Sequence, residues 1–341
     1  MRWDLGIDLG TENIRMAAAG QGAVLGAPAL LTLREGSETP FAAGEAAHAL
    51  LGRTCEGMRV VAPMRDGVLE NNMYAEKLLR WAIQQQEQGK KIRKLAVLIT
   101  HAPHARPVQQ EALMQAAIEA GASEVSLIRS DVAAALGTGL DILSPEAKLV
   151  VDVGAGSMTA TMFTMGRMAA TATLPFGLDR IDEALIRLLR SEEGFLIGAR
   201  AAAELKEMLG SALPSAVEGV PMRVAGINIK ERIPEMRAVS PELVWRACDG
   251  IVRELITMCA SVMENAPEEL AADLNDAGVM LVGGGARLSG LDKRIGDAFG
   301  IPCSVAEAPE ACAVKGMAEY IDNTSRYEKP LEWALAKVVR R

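Results

Sequence analysis

The sequence predicts an α/β protein of two similar lobes, each a mixed sheet of an antiparallel meander plus parallel strands, flanked by helices. One observation is a repeated pattern. Ile7-Asp8-Leu9-Gly10-Thr11 and Val151-Asp152-Val153-Gly154-Ala155-Gly156-Ser157 each give an apolar strand carrying a single aspartate, then a glycine turn ending in a hydroxyl residue. A second is that the strands around each copy follow the same order. Residues 4–9, 14–19 and 23–33 read as strands broken by Gly10-Thr11 and by Gly20-Gln21-Gly22, a chemistry suited to hairpins. Residues 148–153, 158–164 and 168–174 repeat this, broken by Gly154-Ala155-Gly156 and Met165-Gly166-Arg167. Helices and strands alternate after each meander, as α/β layers require.

In the first lobe Asn72 opens a helix running to about residue 86, followed by a strand over 95–100, a helix over 107–120 and a short strand over 124–128. In the second, residues 180–190 are helical, with Leu185, Leu188 and Leu189 at helical spacing. Longer helices cover 198–209 and 241–264, the latter opened by Pro241, whose fixed φ suits a first turn. A strand over 279–282 enters a third glycine turn, Gly283-Gly284-Gly285, and a helix covers 291–299. The segment 212–237, rich in Pro, Gly and Val, reads as a small β insertion. These elements divide the chain into a first lobe, 1–147, with an insertion at about 34–65 and a return at about 312–322. The second lobe is 148–311, with an insertion at about 186–246, and 323–341 is a tail.

The chain's 341 residues suffice for two cores, and half of them are apolar. The net charge of −8 argues against nucleic acid, which needs clustered excess Lys and Arg. Five scattered cysteines without a C-x-x-C pair fit reduced thiols of a cytoplasm. No apolar run is long enough to span a bilayer, and strand-like sequence by Leu5 leaves no room for a signal peptide.

An aspartate in an apolar strand needs a partner. Two such strand ends facing each other can share a cation and a polyphosphate, since glycine turns expose backbone N–H groups that bind phosphate oxygens. Gly10-Thr11-Glu12-Asn13 and Gly154-Ala155-Gly156-Ser157 form that pair, with Thr11 and Ser157 adding hydroxyl donors. Asp8 and Asp152 are the carboxylates for Mg2+, which keeps several waters and takes few protein ligands.

Gly6-Ile-Asp-Leu-Gly-Thr-Glu-Asn13, with Asp152 to Ser157 and Gly283 to Ala286, resembles the actin, Hsp70 and sugar-kinase ATPase superfamily. Longer stretches narrow this: Pro63-Met-Arg-Asp-Gly-Val68, Glu119-Ala-Gly-Ala122, Ala133-Ala-Ala-Leu-Gly137, Gly210-Ser-Ala212, Pro267-Glu-Glu-Leu-Ala-Ala-Asp273 and Gly283-Gly-Gly-Ala-Arg-Leu-Ser-Gly-Leu-Asp292 are similar to MreB-type bacterial actins. The resemblance covers roughly residues 4–322. It implies a two-lobed actin-like ATPase fold that binds ATP and Mg2+ and polymerises head to tail. Such filaments lie at the inner face of an anionic cell membrane and work with membrane-bound cell-shape and wall-synthesis proteins. It also implies that Ala203, Glu204, Leu205 and Lys206, with Gly283, Gly284, Gly285 and Ala286, border the adenine.

Departures from the family bear on turnover. Where MreB proteins usually carry two glutamates and a proline, one glutamate orienting the attacking water, this chain has Arg129, Ser130 and Asp131. A guanidinium cannot hold water in line as a carboxylate does. Asp131 is the substitute within reach, and with Asp152 and Ser157 it makes up the expected catalytic set. Hydrolysis is therefore expected to be slow. The second loop also departs, with Met158 where a hydroxyl residue is usual, and Ala203 stands where Glu is common. The alternatives are a divergent paralogue that joins filaments without hydrolysis, or an Hsp70- or sugar-kinase-type ATPase on the same fold.

Two segments are candidates for lipid contact: the basic loop Lys90-Lys91-Ile92-Arg93-Lys94, and the tail, read as an amphipathic helix over 330–341 with Leu331, Leu335, Val338 and Val339 at helical spacing beside Trp333. The alternative for the tail is a helix packed on the body of the protein. His101 and His104 lack a third metal ligand.

Overall fold

The computed structural model describes residues 3–87, 94–214 and 218–340. β1 (Leu5–Leu9), β2 (Asn13–Ala18) and β3 (Gly22–Pro28) form the first meander. The strand expected over 23–33 is two strands, because Pro28 has no N–H to continue the ladder. The chain turns at Ala29, whose N–H donates to the Glu12 carbonyl (2.7 Å), and Leu31–Arg34 joins a separate small sheet with Ala42–Ala43 and Met58–Val61. α1 (Asn72–Glu87), β4 (Ala96–His101), α2 (Pro107–Ala120), β5 (Glu124–Arg129) and α3 (Ser130–Gly137) complete this part of the first lobe.

The second lobe repeats the plan with β6 (Lys148–Val153), β7 (Met158–Thr164) and β8 (Arg167–Leu174), then α4 (Asp179–Glu192) and α5 (Ala199–Leu209). The expected β insertion is the hairpin β9 (Met222–Asn228) and β10 (Ile233–Val239), with Phe195–Leu196 alongside. α6 (Pro241–Glu264), β11 (Val279–Val282), α7 (Leu291–Phe299) and β12 (Cys303–Val305) follow. The chain then crosses back through α8 (Cys312–Asp322) to the first lobe and ends in β13 (Leu335–Arg340).

The sheet orders are β13-β5-β4-β1-β2-β3 and β8-β7-β6-β11-β12. Apart from β13 they match position for position: a meander whose first strand runs parallel to the next strand inward, Ile7 opposite Ile99 and Asp152 opposite Val282. Each lobe buries its own apolar cluster. A third cluster lies between them, drawing Leu98, Ile128 and Val132 from the first lobe, Val150 and Phe163 from the second, and Met317, Tyr320 and Leu331 from the returning chain. Within it α3 crosses α8 at two glycines. A Cβ on Gly137 would overlap the Cys312 carbonyl, and one on Gly316 the Ala133 carbonyl.

The tail is not the expected amphipathic helix. A single 3-10 turn, Glu332–Ala334, leads into β13, which pairs antiparallel with β5, Leu127 opposite Ala336 and Ile128 opposite Leu335. The decisive influence is the open edge of β5, whose buried backbone N–H and C=O groups require a partner strand. Leu331 and Ala334 are buried against the third cluster. Of the basic segment 90–94, only Lys94 is among the described residues.

Candidate functional site: a cleft between mirrored glycine turns

Gly10 N–H donates to the Asn13 carbonyl at 2.9 Å, and Gly154 N–H donates to the Ser157 carbonyl at the same distance. The two turns are thus the same structure in the two lobes. Glycine suits both, since a Cβ would crowd the Asn13 oxygen at 3.0 Å in one and overlap the Ser157 oxygen at 2.8 Å in the other. They face each other closely: a Cβ on Gly156 would run into the Thr11 hydroxyl and come within 2.6 Å of Gly67 N. Gly67, at φ +76°, donates its N–H to Thr11 Oγ1 (3.1 Å) and lies against Ser157.

Behind the turns is a cavity of about 630 Å³ lined by both lobes. Asp8, Gly10, Thr11, Glu12 and Asn13 line it from the first lobe, and Asp152, Gly154, Ala155, Gly156 and Ser157 from the second. Ala203, Lys206, Gly283, Gly284 and Gly285 close one end. Three residues expected there lie elsewhere. Glu204 points outward and pairs with Arg200 (3.0 Å), while Leu205 and Ala286 are buried in the second-lobe core. On a helix neighbours in sequence are about 100° apart, so a contiguous run such as 203–206 cannot share one face.

Asp8 accepts a hydrogen bond from Thr100 Oγ1 (2.7 Å). Burial raises its pKa, against the lowering influence of Thr100 and Arg15. Burial, and then the charges of Asp8 and Asp131, push Asp152 up to about 7. Its Oδ1 lies against Gly283, which adopts φ +81° and leaves no room for a Cβ. Two desolvated carboxylates, one of which raises the pKa of the other, flanked by backbone donors, are a donor set that fits a hard divalent cation.

This has a measurable consequence for the ligand-free protein. Asp152 titrates from 3.8 in the unfolded chain to about 7 in the fold, so its contribution to stability is complete below 3.8 and is lost as pH rises through about 7. Asp152→Asn should remove about 1–2 kcal/mol of pH dependence, less than the full shift because the residue keeps partial exposure. Urea midpoints between about pH 5.5 and 8.5 test this; parallel profiles for the two proteins would refute it.

At the second-lobe side, Asp179 N–H donates to the Ala155 carbonyl (3.0 Å), docking the start of α4 on the second turn. Burial and then the Glu12 charge push the Asp179 carboxyl up to about 7. Lys206 Nζ pairs with Asp182 (2.8 Å). Burial acts to lower its pKa, and the surrounding carboxylates outweigh this and raise it.

Asp131 does not occupy the place expected of a water-positioning carboxylate. It is 1% exposed, and both oxygens are engaged: by Arg129 Nε and Nη2 (3.0 and 2.6 Å), by the Val132 N–H (3.0 Å) and by Thr161 Oγ1 (2.7 Å). Of residues 129–131, only Ser130 lines the cavity. Thr100, Gly67, Arg15 and Arg287 also line it, although nothing in the sequence singles them out for a role there. Gly67 and Arg287 fall within family motifs, and Thr100 and Arg15 carry no local signal. Among the described residues no cluster of three His, Cys, Asp or Glu side chains suits a metal. His104 Nε2 lies 3.0 Å from the Asp66 carbonyl, and His101 Nδ1 3.0 Å from that of Ala102.

Two sheets of matched order with a cleft between mirrored turns define an actin-like fold. The comparisons agree. The family model for MreB/Mbl protein matches residues 2–329. The chain is 34% identical over 318 residues to the cell shape-determining protein MreB of Escherichia coli (strain K12), covering 92% of this chain and 91% of that one. To the cell shape-determining protein Mbl of Bacillus subtilis (strain 168) it is 30% identical over 326 residues, 96% of this chain and 98% of that one. The crystal structure of MreB5 of Spiroplasma citri bound to ADP superposes with a TM-score of 0.87 at 26% identity, over 95% of this chain and 97% of that one. MamK, from its double helical filament, shares the fold at a TM-score of 0.78 and 18% identity, over 94% of this chain and 98% of that one. The chain belongs to the MreB/Mbl family.

Proposed function

We propose that the protein is a filament-forming bacterial actin that binds ATP with Mg2+ in this cleft and hydrolyses it slowly, organising wall synthesis and rod shape at the inner face of the cell membrane. The observation that carries the nucleotide reading is the facing pair of identical turns with Asp8 and Asp152 at their bases. Family membership, relatives named as cell shape-determining, and MreB5 structures with ADP and with AMPPNP support it. The filament of MamK supports self-association. Membrane contact would be peripheral, since among the described residues no helix is long and apolar enough to cross a bilayer.

In this reading the N–H groups of both turns other than those of Gly10 and Gly154, with the hydroxyls of Thr11 and Ser157, donate to phosphate oxygens. Asp8 and Asp152 hold the cation, which supplies charge neutralisation between the phosphates. Lys206 and the Gly283 turn border the base. Binding of a fluorescent ATP analogue in Mg2+ tests it. Asp8→Asn with Asp152→Asn is expected to weaken Mg2+-dependent binding at least about tenfold, or about 1.4 kcal/mol. Unchanged affinity would refute the assignment. ATP-dependent pelleting, with and without anionic liposomes, tests assembly and membrane contact.

A second reading, a paralogue that joins filaments without hydrolysis, is favoured by one arrangement. Asp131 is consumed by Arg129 and Thr161, and Ser130 alone of the three faces the cleft. Phosphate release at a rate indistinguishable from buffer, with ATP-dependent pelleting intact, would select it.

A further inference from the structure

We propose that residues 330–340 form a strap that ties the two lobes together behind the cleft and limits their opening, with Trp333 and Arg129 as its fastening. The strap begins where the family match ends, at residue 329, and β13 is the one strand of the large sheets without a counterpart in the other lobe. It is anchored to the first lobe by β13 pairing with β5 and by buried Leu331 and Ala334.

From there it reaches the second lobe. Trp333 Nε1 donates to the Gly166 carbonyl (2.7 Å) in the turn between β7 and β8. A Cβ on Gly166 would lie 3.0 Å from Pro330 Cβ, so the strap is already in contact with that turn. The indole also sits 5.7 Å from the Arg129 guanidinium, a cation–π distance. Arg129 is held by both oxygens of Asp131, and Asp131 accepts from Thr161 Oγ1 on β7 at 2.7 Å, with Asp131 and Thr161 both buried. Thr161, Asp131, Arg129, Trp333 and Gly166 therefore make a loop of contacts that crosses the lobe boundary twice.

The geometry assigns a use to the side chains that left the cleft: Arg129 and Asp131 serve as the post to which the strap is fastened. Opening the lobes about the α3–α8 crossing would pull β7 and the Gly166 turn away from α3 and the tail. It must then break the Thr161 and Trp333 bonds. Buried hydrogen bonds to a charged acceptor are the costly ones to leave unmade.

The test is hydrogen–deuterium exchange on the full chain without nucleotide, so its failure is separate from any failure of nucleotide binding. Trp333→Phe keeps a ring over Arg129 and removes only the N–H; Thr161→Val keeps the shape and removes only the hydroxyl. Each alone should speed exchange of peptides covering 124–131 and 158–168 a few-fold, and the double variant at least about tenfold, with peptides of α6 unchanged. No speed-up on Trp333→Phe, or a uniform rise across the chain including α6, would overturn the strap. A double variant that also enlarges the radius of gyration by small-angle scattering would support it.

Discussion

Gly316→Ala is expected to lower the melting temperature by about 4 °C, from a destabilisation of about 3 kcal/mol. At the crossing of α3 and α8 the two backbones touch, and a methyl on Gly316 would be driven into the Ala133 carbonyl while Gly137 N lies only 2.7 Å from it. The obstacle is backbone within two helices that are themselves buried, so no side-chain rotamer can yield. Gly137→Ala meets the Cys312 carbonyl in the same manner. Gly250, in the interior of α6, has open space where a methyl would stand, and there alanine should instead stabilise by about 0.5–1 kcal/mol. Thermal melts of the three variants check this, and equal shifts for Gly316→Ala and Gly250→Ala would refute it.

Ser130→Glu is expected to raise single-turnover phosphate release at least about tenfold, toward the roughly 10²–10⁴ that a positioned base contributes. Ser130 lies at the end of β5 and start of α3 and is the side chain of its segment that faces the cavity. Its neighbours are occupied in the interior: Arg129 is already bidentate with Asp131 and is not free to capture a carboxylate introduced there. Ser130→Gln, of the same size and without basicity, should leave the rate unchanged. An equal gain with glutamine, or no gain with glutamate while nucleotide binding persists, would sink the idea that this position limits turnover.

Much of the fold is legible in the sequence because its signals are local. Pro241 marks the start of α6 and the apolar period carries it to Glu264, while the paired glycine turns delimit β6, β7 and β8. The tail is not legible in this way: Leu331, Leu335, Val338 and Val339 suit a helix by spacing, and the open edge of β5, far away in sequence, decides in favour of a strand. The cleft is legible where it repeats, at Asp8 with Gly10 and at Asp152 with Gly154. It is opaque at Thr100 and Arg15, which reach it only through sheet order and carry no pattern of their own. Asp131 shows the remaining limit: residue type marks a carboxylate, but only packing reveals that Arg129 and Thr161 have claimed it.

The return of the chain to the first lobe has a consequence for biosynthesis. Residues 3–137 emerge early, yet the face of their sheet that packs on α8, and the edge that receives β13, stay uncovered until residues 312–340 leave the ribosome. The nascent first lobe therefore waits for residues 312–340 with Leu98, Ile128 and the β5 edge exposed, a state open to wrong pairing and to chaperone capture. Emergence of residues 312–340, more than the synthesis of either half, is the moment at which that sheet can be covered.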